Sequence, residues 1–151
     1  MEDTLSDEDL IARFPGYPVD QDSAAVYRGR LRHELLVHRC DECSLWHEPP
    51  RPVCPRCWST SVTPTEVLGT GTIFMAIFLR QGPPTPGLDY STPHPVVVVE
   101  LDDQPGLRFA STIVGAENDE IRIGRRVALE WIERAGTPIP AFRLIGEGAD
   151  S

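Results

Sequence analysis

Lysine is absent from this 151-residue chain, and all 14 of its basic residues are arginine. A Schiff-base mechanism or a lysine general base carried by this chain is therefore excluded. The 23 acidic residues give a formal net charge of −9, which disfavours a groove that follows nucleic-acid phosphates. No stretch approaches the roughly 18 continuous apolar residues of a membrane span. These absences predict a soluble cytoplasmic protein that binds neither nucleic acid nor a membrane.

Familiar catalytic signatures are missing as well. The sequence has no G-x-S-x-G elbow, no Walker loop and no glycine-rich dinucleotide turn. Its acidic residues are scattered, so no pair is assigned to general acid/base work. We therefore assign no catalytic residue and expect no activity from this chain on its own.

Four cysteines form two pairs, Cys40-x2-Cys43 and Cys54-x2-Cys57, with ten residues between the pairs. Two such pairs can close one tetrahedral metal site, and Pro55 presets φ for a turn inside the second pair. Two disulfides are the alternative, but Met1 to Asp9 is acidic and polar rather than an apolar signal segment. We expect reduced thiols and a structural metal, because four sulfur ligands leave no open position for substrate or water.

Zinc is the predicted metal, and iron is the alternative, because four thiolates also hold the single iron of a rubredoxin-like redox centre. Glycine after the second cysteine of each pair would ease a positive φ in such a centre. Ser44 and Trp58 occupy these two positions, which disfavours the iron centre.

Histidine and tryptophan residues flank the cysteines. His38 and His47 are near enough in sequence to bind the metal, but four cysteines already complete the site, so both are expected at the surface or beside the ligands. Trp46 and Trp58 are expected to pack against the small metal core, since such a module has little else to bury. A recognition surface marked by Trp46 and Trp58 is the alternative, with Trp46 as the candidate partner- or substrate-facing residue.

The N-terminal region, residues 1–34, predicts two short helices. The first runs from Ser6 to Arg13 with Ser6 as its N-cap, and the second from Ser23 to about Arg32 with Asp20 or Asp22 as its cap. The segment Pro15-Gly16-Tyr17-Pro18 has the composition of a linker. The helices carry one apolar face each and must dock on another element.

The rest of the chain predicts a mainly β fold: a zinc ribbon at residues 35–62, a five-stranded OB-fold at 63–146 and a flexible tail at 147–151. The glycines of Gly69-Thr70-Gly71 are expected to bend a long first barrel strand. The predicted strands are 35–38 in the ribbon and 66–79, 96–101, 107–113, 126–133 and 142–145 in the barrel.

A long loop, Gln81 to Pro95, connects the first two barrel strands and contains five prolines. Ordered loops of this length are often functional, so Tyr90 and His94 are candidates to face a partner or its substrate. The alternative is that Pro93 and Pro95 protect a barrel edge.

Several segments together resemble the acyl-CoA-associated OB-fold family with a rubredoxin-like zinc ribbon, over roughly residues 20 to 145. Besides the helices and cysteine pairs, these are Pro49-Pro50-Arg51, Gly69-Thr70-Gly71-Thr72, Thr92 to Leu101, Ile123-Gly124-x-x-Val127 and Pro140-Ala141-Phe142-Arg143.

The resemblance implies a non-catalytic accessory subunit in a heteromer. Relatives bind thiolase-like enzymes, including aldolases that cut steroid side chains as CoA thioesters, and the acyl-CoA then reaches the complex through the partner. Two alternatives stay open at this point. One is a module that binds single-stranded nucleic acid, since ribbons and OB barrels both serve that role, and the other is an iron redox carrier.

Overall fold

The computed structural model describes residues 5–15, 17–84, 88–134 and 136–146. The chain divides into two units, Met1–Val67 and Leu68–Ser151, called here the N-terminal unit and the C-terminal unit. The N-terminal unit contains α1 (Asp7–Arg13), α2 (Ala24–Leu31), β1 (Leu36–Cys40), β2 (Trp46–His47) and β3 (Val62–Glu66). The C-terminal unit contains β4 (Thr70–Leu79), β5 (His94–Leu101), β6 (Arg108–Ser111), a 3-10 turn (Asn118–Glu120), β7 (Arg126–Arg134) and β8 (Thr137–Leu144).

Both predicted helices are present. The hydroxyl of Ser6 accepts a hydrogen bond of 3.1 Å from the backbone N–H of Asp9, which confirms Ser6 as the N-cap of α1. The cap of α2 differs from the prediction, because Ser23 is its N-cap residue and makes no side-chain cap bond. Asp20 instead bonds Ser23 reciprocally one turn earlier: its carboxylate accepts from the Ser23 N–H at 2.9 Å, and its own N–H donates to the Ser23 hydroxyl.

The two helices share a small aromatic core. Leu10 and Phe14 of the first helical segment are buried with Tyr27 of α2, and the Phe14 and Tyr27 ring centroids lie 5.0 Å apart. Tyr17 packs edge-on against both rings. The predicted linker lies beside this core, although Gly16 is outside the described residues.

The ribbon sheet has the strand order β2-β1-β3, and both pairings are antiparallel. Its β1 begins at Leu36 and runs to the first cysteine, two residues past the predicted end. No strand was predicted at the position of β3, which contains Pro64. Proline is tolerated here because β3 is an edge strand, where its missing N–H costs no ladder bond.

The C-terminal unit is a curled five-stranded sheet with the order β6-β5-β4-β7-β8. A parallel bridge between Ile113 and Phe142 joins the β6 side to the β8 side, which closes the sheet toward a barrel. The predicted mainly β fold class, with N-terminal helices, a four-cysteine ribbon and an OB-fold, is therefore confirmed.

Inward-facing side chains of every barrel strand form the core of the C-terminal unit. Those buried most completely are Ile73, Val97, Val99, Leu101, Val127, Ala141 and Phe142. In β5 the buried residues alternate with less buried ones, as a strand period of two requires, whereas β8 is buried on both faces from Thr137 to Phe142. This core contains no ionisable side chain, so apolar burial stabilises the barrel.

The first barrel strand, β4, needs glycine at one position because its backbone passes very close to β5 there. A Cβ at Gly71 would lie 2.5 Å from the carbonyl oxygen of Glu100 on the neighbouring β5, so no larger residue fits there. Gly69 precedes it with φ of +90°, and the ladder with β5 shifts register between Ile73 and Met75. These features agree with the predicted glycine bend, although the strand begins at Thr70 rather than at Glu66.

The last strand was predicted too short. The sequence placed it near 142–145, but β8 begins at Thr137 and contains Pro138 and Pro140. Because β8 lies at the edge of the sheet order, these prolines do not interrupt a central ladder. The predicted flexible tail at 147–151 lies outside the described residues.

Candidate metal centre and partner-facing residues

The four cysteine sulfurs converge on one point. The Sγ atoms of Cys40, Cys43, Cys54 and Cys57 all lie within 4.8 Å of one another. Two of these contacts, Cys40 with Cys57 and Cys43 with Cys54, are each 3.6 Å long. Zinc–sulfur bonds of about 2.3 Å place tetrahedral corners about 3.8 Å apart, whereas a disulfide needs about 2.05 Å. The spacing fits a four-sulfur metal site and not two disulfides.

Two similar turns, called knuckles here, hold the sulfurs. In the first knuckle the N–H of Ser44 donates to the carbonyl of Cys40 at 3.0 Å, and in the second the N–H of Trp58 donates to the carbonyl of Cys54 at 2.9 Å. Backbone N–H groups within each knuckle also point at sulfur, as from Arg56 to Cys54 at 3.4 Å. Such bonds orient ligands and stabilise thiolates.

Both knuckles adopt the left-handed backbone that glycine favours. The φ angles are +68° at Ser44 and +67° at Trp58. Ser44 and Trp58 therefore do not keep the backbone out of this turn, and the expectation that they disfavour an iron centre stays a prediction. The geometry of the knuckles leaves the choice between zinc and iron open.

The electrostatics of the cluster favour a bound cation. The Leu45 backbone N–H, with the Arg56 guanidinium, lowers the pKa of the Cys43 thiol to about 6. At Cys57 the Ser59 N–H acts in the same direction, but burial and the three neighbouring sulfurs outweigh it and raise the pKa to about 12. Four thiolates so close repel one another, and a divalent metal ion would remove this repulsion.

The two ribbon histidines are buried, so the expected surface position is not observed. His38 and His47 are both 7% exposed, and their rings meet edge-on with centroids 5.7 Å apart. The Nδ1 atom of His38 lies 3.0 Å from the carbonyl oxygen of Arg51, so this ring helps to fix the arm between the knuckles. Burial, with the neighbouring His38, lowers the pKa of His47. Neither histidine joins the four-sulfur cluster.

The two ribbon tryptophans differ in environment. Trp46 is half-buried in β2, and the Arg39 guanidinium lies 5.4 Å from its ring centroid. Trp58 is 79% exposed, so the expectation that it packs against the metal core was wrong. Of the two tryptophans weighed for a recognition surface, the more exposed is therefore Trp58 and not Trp46, the predicted partner- or substrate-facing residue.

Tyr90 and His94, the two candidate residues of the long loop, lie at the end of that loop and the start of β5. His94 is the first residue of β5, half-buried and paired with Leu79, and burial with the Arg134 charge lowers its pKa. Tyr90 lies over Gly82, where an added Cβ would be 2.5 Å from its hydroxyl oxygen. The loop therefore ends one residue before His94, and residues 85–87 within it lie outside the described residues.

An outward apolar face on the barrel was missed in the sequence. Phe74, Met75 and Ile77 of β4 are 40%, 48% and 49% exposed. The β5 residues paired with this strand include Val98 opposite Met75 and Val96 opposite Ile77. We call these five residues the outer patch. The sequence pattern could have indicated this outward face, because β4 is apolar on both faces while an OB barrel in general buries only one face of a strand.

An ion pair borders this outer patch. The two terminal guanidinium nitrogens of Arg126 donate to the Asp102 carboxylate at 2.8 and 2.6 Å, and the Thr70 hydroxyl donates to it at 2.6 Å. The Arg126 hydrogen bonds lower the pKa of Asp102 to about 2. A groove of about 450 Å³ runs beside this pair, with Phe74 and Ile123 among its lining residues.

No helix in the described parts of the chain has the length and apolar character needed to cross a membrane.

Two family models match the chain in sequence order. Residues 28–63 match the ChsH2 rubredoxin-like zinc ribbon domain, and residues 65–131 match the ChsH2 C-terminal OB-fold domain. The break between the two matches falls within two residues of the end of β3.

Known proteins share this pair of domains. The chain is 32% identical over 130 residues to a probable enoyl-CoA hydratase alpha subunit of Thermomonospora curvata, covering 85% of this chain and 39% of that protein. It is 28% identical over 116 residues to the 3-oxo-4,17-pregnadiene-20-carboxyl-CoA hydratase alpha subunit of Mycobacterium tuberculosis, covering 75% and 34%. The chain thus spans little more than a third of these relatives.

Among solved structures, the chain matches one described as an Ltp2-ChsH2(DUF35) aldolase with a TM-score of 0.74 and 32% identity. The match covers 86% of this chain and 98% of that chain. Because both the ribbon and the barrel align along nearly the whole of that chain, this protein belongs to the ChsH2 (DUF35) family of zinc-ribbon and OB-fold proteins.

Proposed function

We propose that this chain is a non-catalytic accessory subunit that binds and supports a thiolase-like enzyme acting on acyl-CoA thioesters. The observation that carries the proposal is the likeness to the ChsH2(DUF35) chain of an aldolase assembly, at 32% identity over 98% of that chain. The curated relatives reported above are named as alpha subunits, which also fits a protein that works in a heteromer.

The outer patch supports a protein partner. Exposed apolar side chains cluster on β4, although the same strand already contributes Ile73 to the barrel core. Contiguous exposed apolar surface of this kind marks interaction sites in soluble domains. We therefore propose that the partner covers this patch, which would order the accessory subunit by mass action.

The substrate would reach the complex through the partner. The names of the relatives contain enoyl-CoA and a pregnadiene carboxyl-CoA, so a lipid or steroid side chain carried as a CoA thioester is the proposed substrate class. The partner would supply the nucleophile and the acid/base groups, since this chain has no lysine and its four cysteines converge on one cluster.

Zinc is the proposed occupant of the four-sulfur cluster. A tetrahedral site closed by four thiolates is typical of structural zinc, and the matched family model is described as a zinc ribbon. One zinc per chain and a colourless protein are expected. Visible absorption with one iron per chain would instead identify a ferric tetrathiolate and the redox alternative.

Tyr90, His94 and Trp46 are proposed to face the partner or its substrate entrance. His94 and Tyr90 are half-buried at the end of the long loop, so their truncation should leave the barrel core intact. Trp46 is also half-buried, and its contact with Arg39 gives it a structural role at the same time.

Co-expression with thiolase-like chains of the same genome tests the proposal. A stable complex is expected on size exclusion with light scattering, with acyl-CoA turnover by the complex and none by this chain alone. His94→Ala and Tyr90→Ala should lower turnover by the complex while zinc content stays unchanged. Robust turnover by the isolated chain would overturn the non-catalytic role, and failure to associate with any thiolase-like chain would overturn the partner.

A further inference from the structure

Trp58, at the turn of the second knuckle, combines two features that are unfavourable in an isolated chain. Its backbone is left-handed at φ +67°, a conformation that is uncommon for any residue with a Cβ and an outlier for a bulky one. Its indole is 79% exposed. Ser44 holds the matching place in the first knuckle at φ +68° but carries only a small polar side chain.

Contacts within the described residues do not account for the tryptophan. Its indole makes no hydrogen bond, ring contact or cation–π contact there, whereas Trp46 lies against the Arg39 guanidinium. The knuckle needs only the Trp58 backbone N–H, which any residue except proline supplies. The left-handed backbone belongs to the knuckle, as at Ser44, but a bulky indole at such a strained position has no such contact within the described residues, so the side chain itself requires a reason outside the chain.

The surface around Trp58 indicates what binds there. A shallow depression of about 470 Å³ is lined by Arg51, Pro52, Val53, Cys54, Pro55 and Trp58. All residues from 51 to 58 except Cys54 are exposed, and Val53 is an exposed apolar neighbour. This surface is too open to bury a small ligand, which would need a concave pocket around most of its area.

The charge of the same segment is opposite to that of the whole chain. Residues 51–58 contain Arg51 and Arg56 and no acidic residue, whereas the chain carries a net charge of −9. Arg56 donates to the Cys43 carbonyl at 2.9 Å, while no partner of the Arg51 guanidinium appears among the hydrogen bonds and ion pairs of the described residues. An apolar, locally basic projection fits an apolar cavity with an acidic rim.

We infer that Trp58 is a docking residue that inserts into an apolar cavity of the thiolase-like partner subunit, with acidic groups of that subunit facing Arg51. This inference rests on the proposed function and adds the residue and the chemistry through which the ribbon binds. Tryptophan and arginine are the side chains most often found at energetic centres of protein interfaces.

Trp58→Gly in the full chain, with Ser44→Gly as the matched control, tests the role. Both changes place glycine at a left-handed position of a knuckle, so both variants should retain zinc against a chelator at least as well as the parent chain. Trp58→Gly should weaken binding to the partner subunit by about 30-fold, as for a central interface tryptophan, while Ser44→Gly leaves it unchanged. The affinity is measured by titration calorimetry with zinc content checked in each sample.

The remaining outcomes overturn the inference. Unchanged affinity of Trp58→Gly removes the docking role, and equal loss in both variants assigns the effect to the knuckle backbone. Arg51→Glu should weaken binding more at low salt than at high salt, with Arg13→Glu as the control of equal charge change; equal effects would remove the acidic rim. The titration of the parent chain tests the proposed function separately. If the parent chain binds no thiolase-like subunit, the proposed function is wrong, whatever the variants show.

Discussion

The ribbon and the barrel are small β structures that are stabilised by different means. The barrel buries inward side chains from all five strands, among them Phe142 and Val97 at 0% exposure. The ribbon sheet has one strand of two residues and two of five, and its cysteines Cys40 and Cys54 are among its most buried side chains. A sheet this short cannot bury enough apolar surface to offset its conformational entropy, so the metal cluster takes the place of a core.

Removing a ligand from the ribbon should have the largest effect. Cys43→Ala is expected to unfold the ribbon and leave the barrel folded, because structural zinc contributes on the order of 10 kcal/mol of apparent binding free energy to small modules. Two-dimensional NMR would show loss of dispersed ribbon amides while barrel amides keep their positions. Thr60→Ala, an exposed ribbon position, serves as the control. A folded ribbon without metal in Cys43→Ala would remove the distinction between the two units.

The reciprocal change is made in the barrel core. Phe142→Ala removes a fully buried ring that lies edge-on to Phe109, and it should destabilise the barrel by about 3–5 kcal/mol. The midpoint of urea unfolding should fall for barrel amides while the zinc content stays at the parent value. Parallel loss of zinc would mean that the ribbon depends on the barrel, contrary to the comparison.

A smaller effect is expected from acid at the barrel surface. Hydrogen bonds from Arg126 lower the pKa of Asp102 to about 2 from its usual 3.8, so the ionised pair contributes stability above pH 3.8 that is lost as the pH falls toward 2. Solvent screens the pair because about a third of each side chain is exposed, so we expect about 1 kcal/mol. Asp102→Asn should flatten this dependence in amide-resolved unfolding of β4 and β7. An equally steep profile in the variant would assign the acid sensitivity elsewhere.

Several local features of the chain were predicted correctly from the sequence, whereas features that depend on the order of the strands were not. Cysteine spacing predicted the metal cluster because ligand geometry is local, and the Ser6 cap was found because it bonds three residues ahead. Strand ends were harder to predict: β3 and the first half of β8 contain proline, and only the sheet order reveals that both are edge strands. The exposure of Trp58 was not predicted, because a short-range pattern gives no information on which side of a turn faces solvent.

The closure of the barrel implies an uneven pattern of local opening. Eight residue pairs join β7 to β8. Three hydrogen bonds join the β6 side to the β8 side: from the Phe142 N–H to the Thr112 carbonyl, from the Val114 N–H to the Phe142 carbonyl, and from the Ser111 hydroxyl to the Pro140 carbonyl. Separation along this line breaks fewer pairings than separation of β7 from β8 or of β4 from β5, so amide hydrogens here should exchange with deuterium before those of the β4–β5 ladder. The barrel would then open and reclose at one seam while the rest of the sheet stays paired.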